Sequence, residues 1–134
     1  MKGSYILVVF IEREIKPIIG ALGKITFRKG FYFYIGSAMG NMGSSTLLNR
    51  VKRYLSNNSK KKIHWHIDYL LADVHSIITK IYLIPSTEPL ECIIAQNLLE
   101  ICDSFIKNFG SSDCQCKSHL FYFKYFDTFK ENIK

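Results

Sequence analysis

Five residues, Tyr5, Tyr34, Arg50, Tyr54 and Glu91, carry the first chemistry that can be read from this chain. Arg50 and Tyr54 are four residues apart, which puts both on one face of a helix. Gly36, just beyond Tyr34, has no side chain and permits close approach by another group. Gathered in one cleft, these groups suit phosphodiester cleavage. Glu91 would hold a divalent cation, the cation and Arg50 would offset charge growing on the phosphoryl oxygens, and a tyrosine would orient or deprotonate water. A phenol titrates at about pH 10, so it is a poor base unless a cation lowers that value. The plainer reading leaves Tyr5 and Tyr34 as core aromatics, Arg50 as a solvated helix charge and Glu91 as the acidic partner of a helix N-terminus.

A second group comprises His64, His66, Asp68, Asp113, Cys114, Cys116 and His119. His64, His66 and Asp68 share a face only if their segment is extended, because a helix turns the two histidines about 200° apart. Cys114, Cys116 and His119 with one more histidine are ligand types that zinc accepts. Against zinc, the one-residue gap between the cysteines is tighter than usual, and only two thiols are expected to be available to the site. The expectation is therefore a polar cluster in which His66, Asp68, Asp113 and His119 border the Tyr34 cleft. The packing alternative has Trp65 as an anchor and Asp68 paired with His119 or with backbone amides. A third signal is the basic run Arg50, Lys52, Arg53, Lys60, Lys61 and Lys62, which has no intervening acid and could make several phosphate contacts. Lysine runs are also commonly no more than solvated surface.

These side chains need elements to hold them. Residues 5–11 are almost all large or β-branched and apolar, which predicts a buried central strand. Residues 24–28 and 31–35 read as a hairpin turning at Lys29-Gly30, and the Gly/Ser-rich stretch 36–45 reads as a loop. Leu47, Leu48, Val51, Tyr54 and Leu55 recur at helical spacing behind a Ser44 or Ser45 cap. The stretch 57–62 reads as an exposed loop, 65–72 as a short helix or strand, and 77–84 as a strand ended by Pro85. Ser86 or Thr87 would cap a helix with Glu88 and Pro89 in its first turn and an apolar stripe running from Leu90 to Phe105. Strand composition returns over 120–126, before a polar tail. The sum is an α/β (α+β) fold with a small mixed, mainly antiparallel sheet flanked by helices.

Composition sets the outer limits. The chain has 134 residues, 48% of them apolar and 14% aromatic, enough for one packed domain over 1–134 and unlike a disordered or collagen-like chain. A net charge of +7 favours an anionic partner, nucleic acid above all. No run of residues is long and apolar enough to span a bilayer, and the start lacks the layout of a secretion signal, so a cytoplasmic location with reduced thiols is expected. Two other function classes fit this composition. One is a catalytically silent nucleic-acid-binding module. The other is a structural or interaction protein, with exposed aromatics near Phe121 and Phe126 marking a homotypic interface.

Gly3-Ser4-Tyr5 with Tyr34-Ile35-Gly36, followed by Leu47-Leu48-Asn49-Arg50 and Tyr54, resembles the GIY-YIG endonuclease superfamily. The stretches 31–38, 64–71 and 110–120 are closer to a small branch of it, common in archaea, found alone or fused to endonuclease III-type repair glycosylases. The resemblance implies a GIY-YIG-like fold over nearly the whole chain and a nuclease acting on DNA in repair or processing. It also implies Mg2+ or Mn2+ as cofactor and a repair-protein partner. By that likeness Tyr5 and Tyr34 are the motif tyrosines, Gly36 closes the second motif, Arg50 is the helix arginine and Glu91 the metal-binding glutamate. Two departures stand out: the motifs lie further apart than in typical members, and Tyr54 takes a position often held by histidine.

Overall fold

Nine residues, Gly3–Ile11, form the first strand, β1, of a computed structural model that describes residues 1–55, 63–111 and 114–126. Both faces of β1 are covered: Tyr5, Leu7, Val9 and Ile11 enter one core cluster and Val8 another. A continuous apolar run needs such two-sided burial, since an exposed face would leave half of it in water. Along the chain follow β2 (Gly30–Ala38), α1 (Leu47–Leu55), α2 (His66–Leu71), β3 (Ser76–Pro85), α3 (Glu91–Ile101), β4 (Ser104–Phe105) and β5 (Leu120–Phe123). The strands form one sheet in the order β3-β1-β2-β5-β4, and every pairing is antiparallel. The α+β class and the central place of β1 agree with the sequence reading.

The pleat sends alternate side chains to two helical layers. Leu47, Val51 and Tyr54 of α1, with Ile67 and Leu70 of α2, pack on the face that carries Tyr5, Tyr32, Tyr34 and Leu120. Ala95 and Leu98 of α3 pack on the face of Val8, Phe33, Ile35 and Phe121. Burying each of the larger side chains contributes about 1.5–3 kcal/mol, so the one-turn spacing of Leu47, Val51 and Tyr54 fixes which face of α1 turns inward. Phe121 and Phe126 are buried in the second cluster, so they are not the exposed aromatics expected from sequence.

Several boundaries differ from expectation for physical reasons. Residues 24–28 do not form a hairpin arm with 31–35; β2 pairs with β1, and the intervening chain makes isolated bridges at Ile15–Phe27 and Ile18–Lys24. Pro17 lacks an N–H and accepts from Ile25 through its carbonyl alone, so no continuous ladder builds there. β2 runs through Gly36, Ser37 and Ala38, residues whose composition had suggested a loop. The cap of α1 is Thr46, whose Oγ1 accepts from the Asn49 N–H at 3.3 Å, whereas Ser45 donates to the Met42 carbonyl. α3 begins only at Glu91, because Ser86 closes a local turn with Glu88 instead of capping a helix. Phe105 belongs to β4, and β5 ends at Phe123. The expected loop at 57–62 and most of the polar tail lie outside the described residues. Among the described residues, no helix is long and apolar enough to cross a membrane.

Candidate active site

Strand register makes the first part of the site. Tyr5 and Gly36 face each other across β1 and β2, and a Cβ at position 36 would overlap the ring and hydroxyl of Tyr5. Glycine is required there for space, not for a turn. Tyr34, two residues earlier, shares the face, and its ring lies 6.5 Å from that of Tyr5. On the other side the Tyr5 ring lies 5.6 Å from Tyr54 of α1, and the two hydroxyls share a 2.8 Å hydrogen bond. Gly110 closes over Tyr34 with φ of 69°, and a Cβ there would come within 3.0 Å of the Tyr34 ring.

Arg50 enters from α1 and is held rather than left to wave in solvent. Its Nη1 donates to the Ser37 carbonyl at 3.0 Å, its Nε donates to the Ser44 carbonyl at 3.4 Å, and its guanidinium lies 4.8 Å from the centre of the Trp65 ring. Glu91 is the first residue of α3, with a carboxylate oxygen 3.8 Å from His119 Nδ1. Tyr5, Tyr34, Arg50, Trp65, Glu91 and His119 together line a cleft of about 300 Å³, with Gly36, Ser37, Gly110 and Cys114 completing its wall. The structure therefore gathers four of the five expected catalytic residues, with Tyr54 directly behind Tyr5.

Electrostatics decides what the tyrosines can do. Burial raises the pKa of Tyr34 well above that of a free phenol, and the neighbouring Tyr5, Glu91 and Asp68 push it further than Arg50 can offset. Burial raises Tyr5 as well, outweighing its Tyr54 hydrogen bond and the nearby Arg50 charge, and burial is again the first cause for Tyr54. All three hydroxyls stay protonated at neutral pH, suited to donating hydrogen bonds and orienting water but poorly suited to taking its proton.

The histidine-rich segment serves mainly as support. His64 lies outside α2 and His66 is its first residue, and the two rings have different surroundings. His64 is exposed and sits edge-on to Trp65, while His66 Nδ1 accepts the Gly110 N–H at 2.8 Å. Burial lowers the His66 pKa, which keeps the ring the neutral acceptor that this bond needs. Asp68 does not border the cleft: it is 3% exposed and accepts two bonds from Arg53, at 2.8 and 2.9 Å, and one each from the His64 and Trp65 N–H groups. Burial alone would raise its pKa, but these donors outweigh it and the net shift is downward. Its side-chain partner is thus Arg53, not His119. Arg53 is in turn committed to Asp68, which leaves Arg50 in the cleft and Lys52 exposed on α1 as cations of the basic run. Lys60, Lys61, Lys62 and Asp113 lie outside the described residues.

His119 does reach the cleft, and it also closes a cluster with Cys114 and Cys116 whose fourth member, Cys92, sequence reasoning missed. The ligand atoms of Cys92, Cys114, Cys116 and His119 all lie within 4.8 Å of one another, with Cys114 Sγ 3.4 Å from His119 Nε2. Burial, and then contact with the other two thiols, raises the Cys116 pKa. The fourth member is a third thiol, not another histidine, so the two-thiol count does not hold. Cys92 is remote in sequence, and its one local signal was its place beside Glu91 at the start of a helix.

The sequence model of the family described as Domain of unknown function DUF123 matches residues 4–134. The chain belongs to that family. No curated protein and no solved structure matches it. The match runs from before Tyr5 to beyond His119, so every cleft and thiol residue of this DUF123 domain lies within the family region.

Proposed function

We propose that this domain is a divalent-metal-dependent endonuclease of the GIY-YIG type, hydrolysing phosphodiester bonds of nucleic acid, DNA foremost, in a cytoplasmic repair or processing role. The observation that carries this reading is the convergence of Tyr5, Tyr34, Arg50 and Glu91, drawn from four elements, β1, β2, α1 and α3, on one cleft of about 300 Å³. Glu91 fits a role as ligand to Mg2+ or Mn2+, since such ions take one or two carboxylates and complete their shell with water and phosphate oxygens. A cation bound there would supply Lewis-acid stabilisation of the phosphoryl oxygens. Arg50, fixed by the Ser37 carbonyl, binds a non-bridging oxygen and offsets the charge that grows on it. The protonated hydroxyls of Tyr5 and Tyr34 orient the attacking water and donate to phosphate oxygens. The +7 charge draws the polyanion in, with Lys52 exposed beside the Arg50 turn.

A cleavage screen tests the reading: wild type, Tyr34→Phe, Arg50→Ala and Glu91→Gln against duplex, flapped, forked and abasic DNA and structured RNA, with magnesium or manganese. Arg50→Ala is expected to lose both binding and rate, and Glu91→Gln to keep most binding while losing metal-supported turnover. Tyr34→Phe should reduce turnover by about 10- to 10,000-fold. Because Tyr34 does not titrate near neutrality, its residual activity should keep the wild-type pH profile. Salt-sensitive binding without cleavage on any substrate would replace the nuclease by a silent binding module, and absence of both would leave an interaction protein.

A further inference from the structure

We propose that Cys92, Cys114, Cys116 and His119 form a structural zinc site that ties the first turn of α3 to the chain entering β5. The ligand atoms already lie within 4.8 Å of one another. In a tetrahedral zinc site with Zn–S near 2.3 Å, sulfur atoms stand about 3.8 Å apart, so closure needs movements of about 1 Å or less. One ligand pair, Cys114 Sγ and His119 Nε2, is at 3.4 Å. Three sulfurs and one imidazole nitrogen in tetrahedral reach favour zinc over magnesium or calcium, which prefer oxygen. Four protein ligands fill the shell and leave no open position for water, which makes the site structural rather than hydrolytic.

The surroundings fit a metal-ligating histidine. While Nε2 faces the thiols, Nδ1 lies 3.8 Å from Glu91, and the ring is bonded to the Gly110 backbone. Outer partners of this kind fix the tautomer and aim the ring at its metal. Cys92 adjoins Glu91, and Cys114 and His119 line the cleft, so the zinc would brace the wall that holds Glu91 without taking part in the chemistry. The inference goes beyond the nuclease reading and stands if that reading fails.

Its test reads metal, not cleavage. The whole chain, purified from zinc-replete cells without chelator, is expected to carry one zinc per molecule. Replacement by Co2+ should give thiolate charge-transfer bands and visible bands of tetrahedral intensity. Cys92→Ser should weaken zinc binding by more than the roughly 10- to 100-fold typical of outer-shell changes, because it removes a ligand itself. Cys102→Ser, which alters a cysteine outside the cluster, should retain the zinc. If Cys92→Ser fails to fold, thiol alkylation of the wild type decides: Cys92, exposed as it is, should resist alkylation while zinc is bound, and chelation should make Cys92, Cys114 and Cys116 reactive together. Wild-type protein without zinc, a weak octahedral cobalt spectrum, equal zinc loss in Cys102→Ser, or a disulfide between Cys92 and Cys116 would each overturn the site.

Discussion

At the residue scale, the decisive contact is that of Tyr5 with Gly36. The Tyr5 ring is 2% exposed, bonded to Tyr54 through its hydroxyl and tilted against Tyr34, so it cannot swing aside to admit a methyl group. Gly36→Ala is therefore expected to cost about 1–3 kcal/mol, the usual penalty of overpacking a filled core. In a Tyr5→Ala background the same substitution should be nearly free, a coupling that a double-mutant cycle on thermal midpoints would reveal. Equal costs in both backgrounds would refute the steric account. Sequence reasoning picked Gly36 out and assigned it the right freedom of approach, yet placed it in a loop, because composition does not say that its cross-strand neighbour is a tyrosine. Cys92 failed to register for a similar reason. Its three partners come from the chain before β5, and only the packing of α3 against the sheet brings them within reach. Residues whose placement depends on near neighbours, such as Arg50 and Tyr54 on one helix, were legible. Residues whose role depends on register or on layer packing were not.

At the element scale, the two arginines of α1 divide their work, with Arg50 facing the cleft and Arg53 locking α1 to α2 through Asp68. Asp68 also accepts the two N–H groups at the start of α2, so one buried carboxylate caps a six-residue helix and pins it to its neighbour. A helix that short has little stability alone, which explains why periodicity over 65–72 left helix and strand open. Asp68→Asn removes the charge that holds Arg53 and is expected to cost about 3 kcal/mol, the lower range for breaking a buried pair, since Arg53 keeps partial contact with water. Thermal denaturation would show it as a fall in midpoint of roughly 10 °C. The pH dependence has a definite sign. The folded pKa of Asp68 lies below its ordinary value, so its contribution is full above about pH 4 and fades as the carboxylate is protonated at lower pH. Stability of the Asp68→Asn protein should accordingly fall less steeply under acid than that of wild type. Identical acid slopes would mean that the Arg53 pair carries no net stability. Long apolar runs such as β1 and the heptad-like face of α1 were readable because burial on the sheet rewards them directly. Residues 24–28 were misread as half a hairpin because their expected partner, 31–35, belongs to β2 and is already paired with β1 and β5, while Pro17 opposite Ile25 interrupts any ladder with the preceding chain.

For the molecule as a whole, the same aromatic core that shapes the cleft sets an upper limit on the pH at which the fold survives. Tyr5, Tyr32, Tyr34 and Tyr54 all have pKa values raised above 10 by burial. Below about pH 10 these phenols are protonated in both folded and unfolded chains, so their shifts leave stability unchanged. Above that point the unfolded chain releases protons that the folded chain retains, and stability falls as pH rises. Each such group steepens the fall by about 1.4 kcal/mol per pH unit, so four together reach roughly 5 kcal/mol per unit. A domain of ordinary stability, about 5–15 kcal/mol, would then unfold within a few pH units above 10. The expected signature in an alkaline titration is a phenolate absorbance step from the buried tyrosines that coincides with loss of far-ultraviolet circular dichroism and reverses with it. Full phenolate absorbance in a chain whose dichroism stays native would show that these hydroxyls ionise in place. It would also reopen the possibility, set aside by their burial, that Tyr5 or Tyr34 accepts a proton in the cleft.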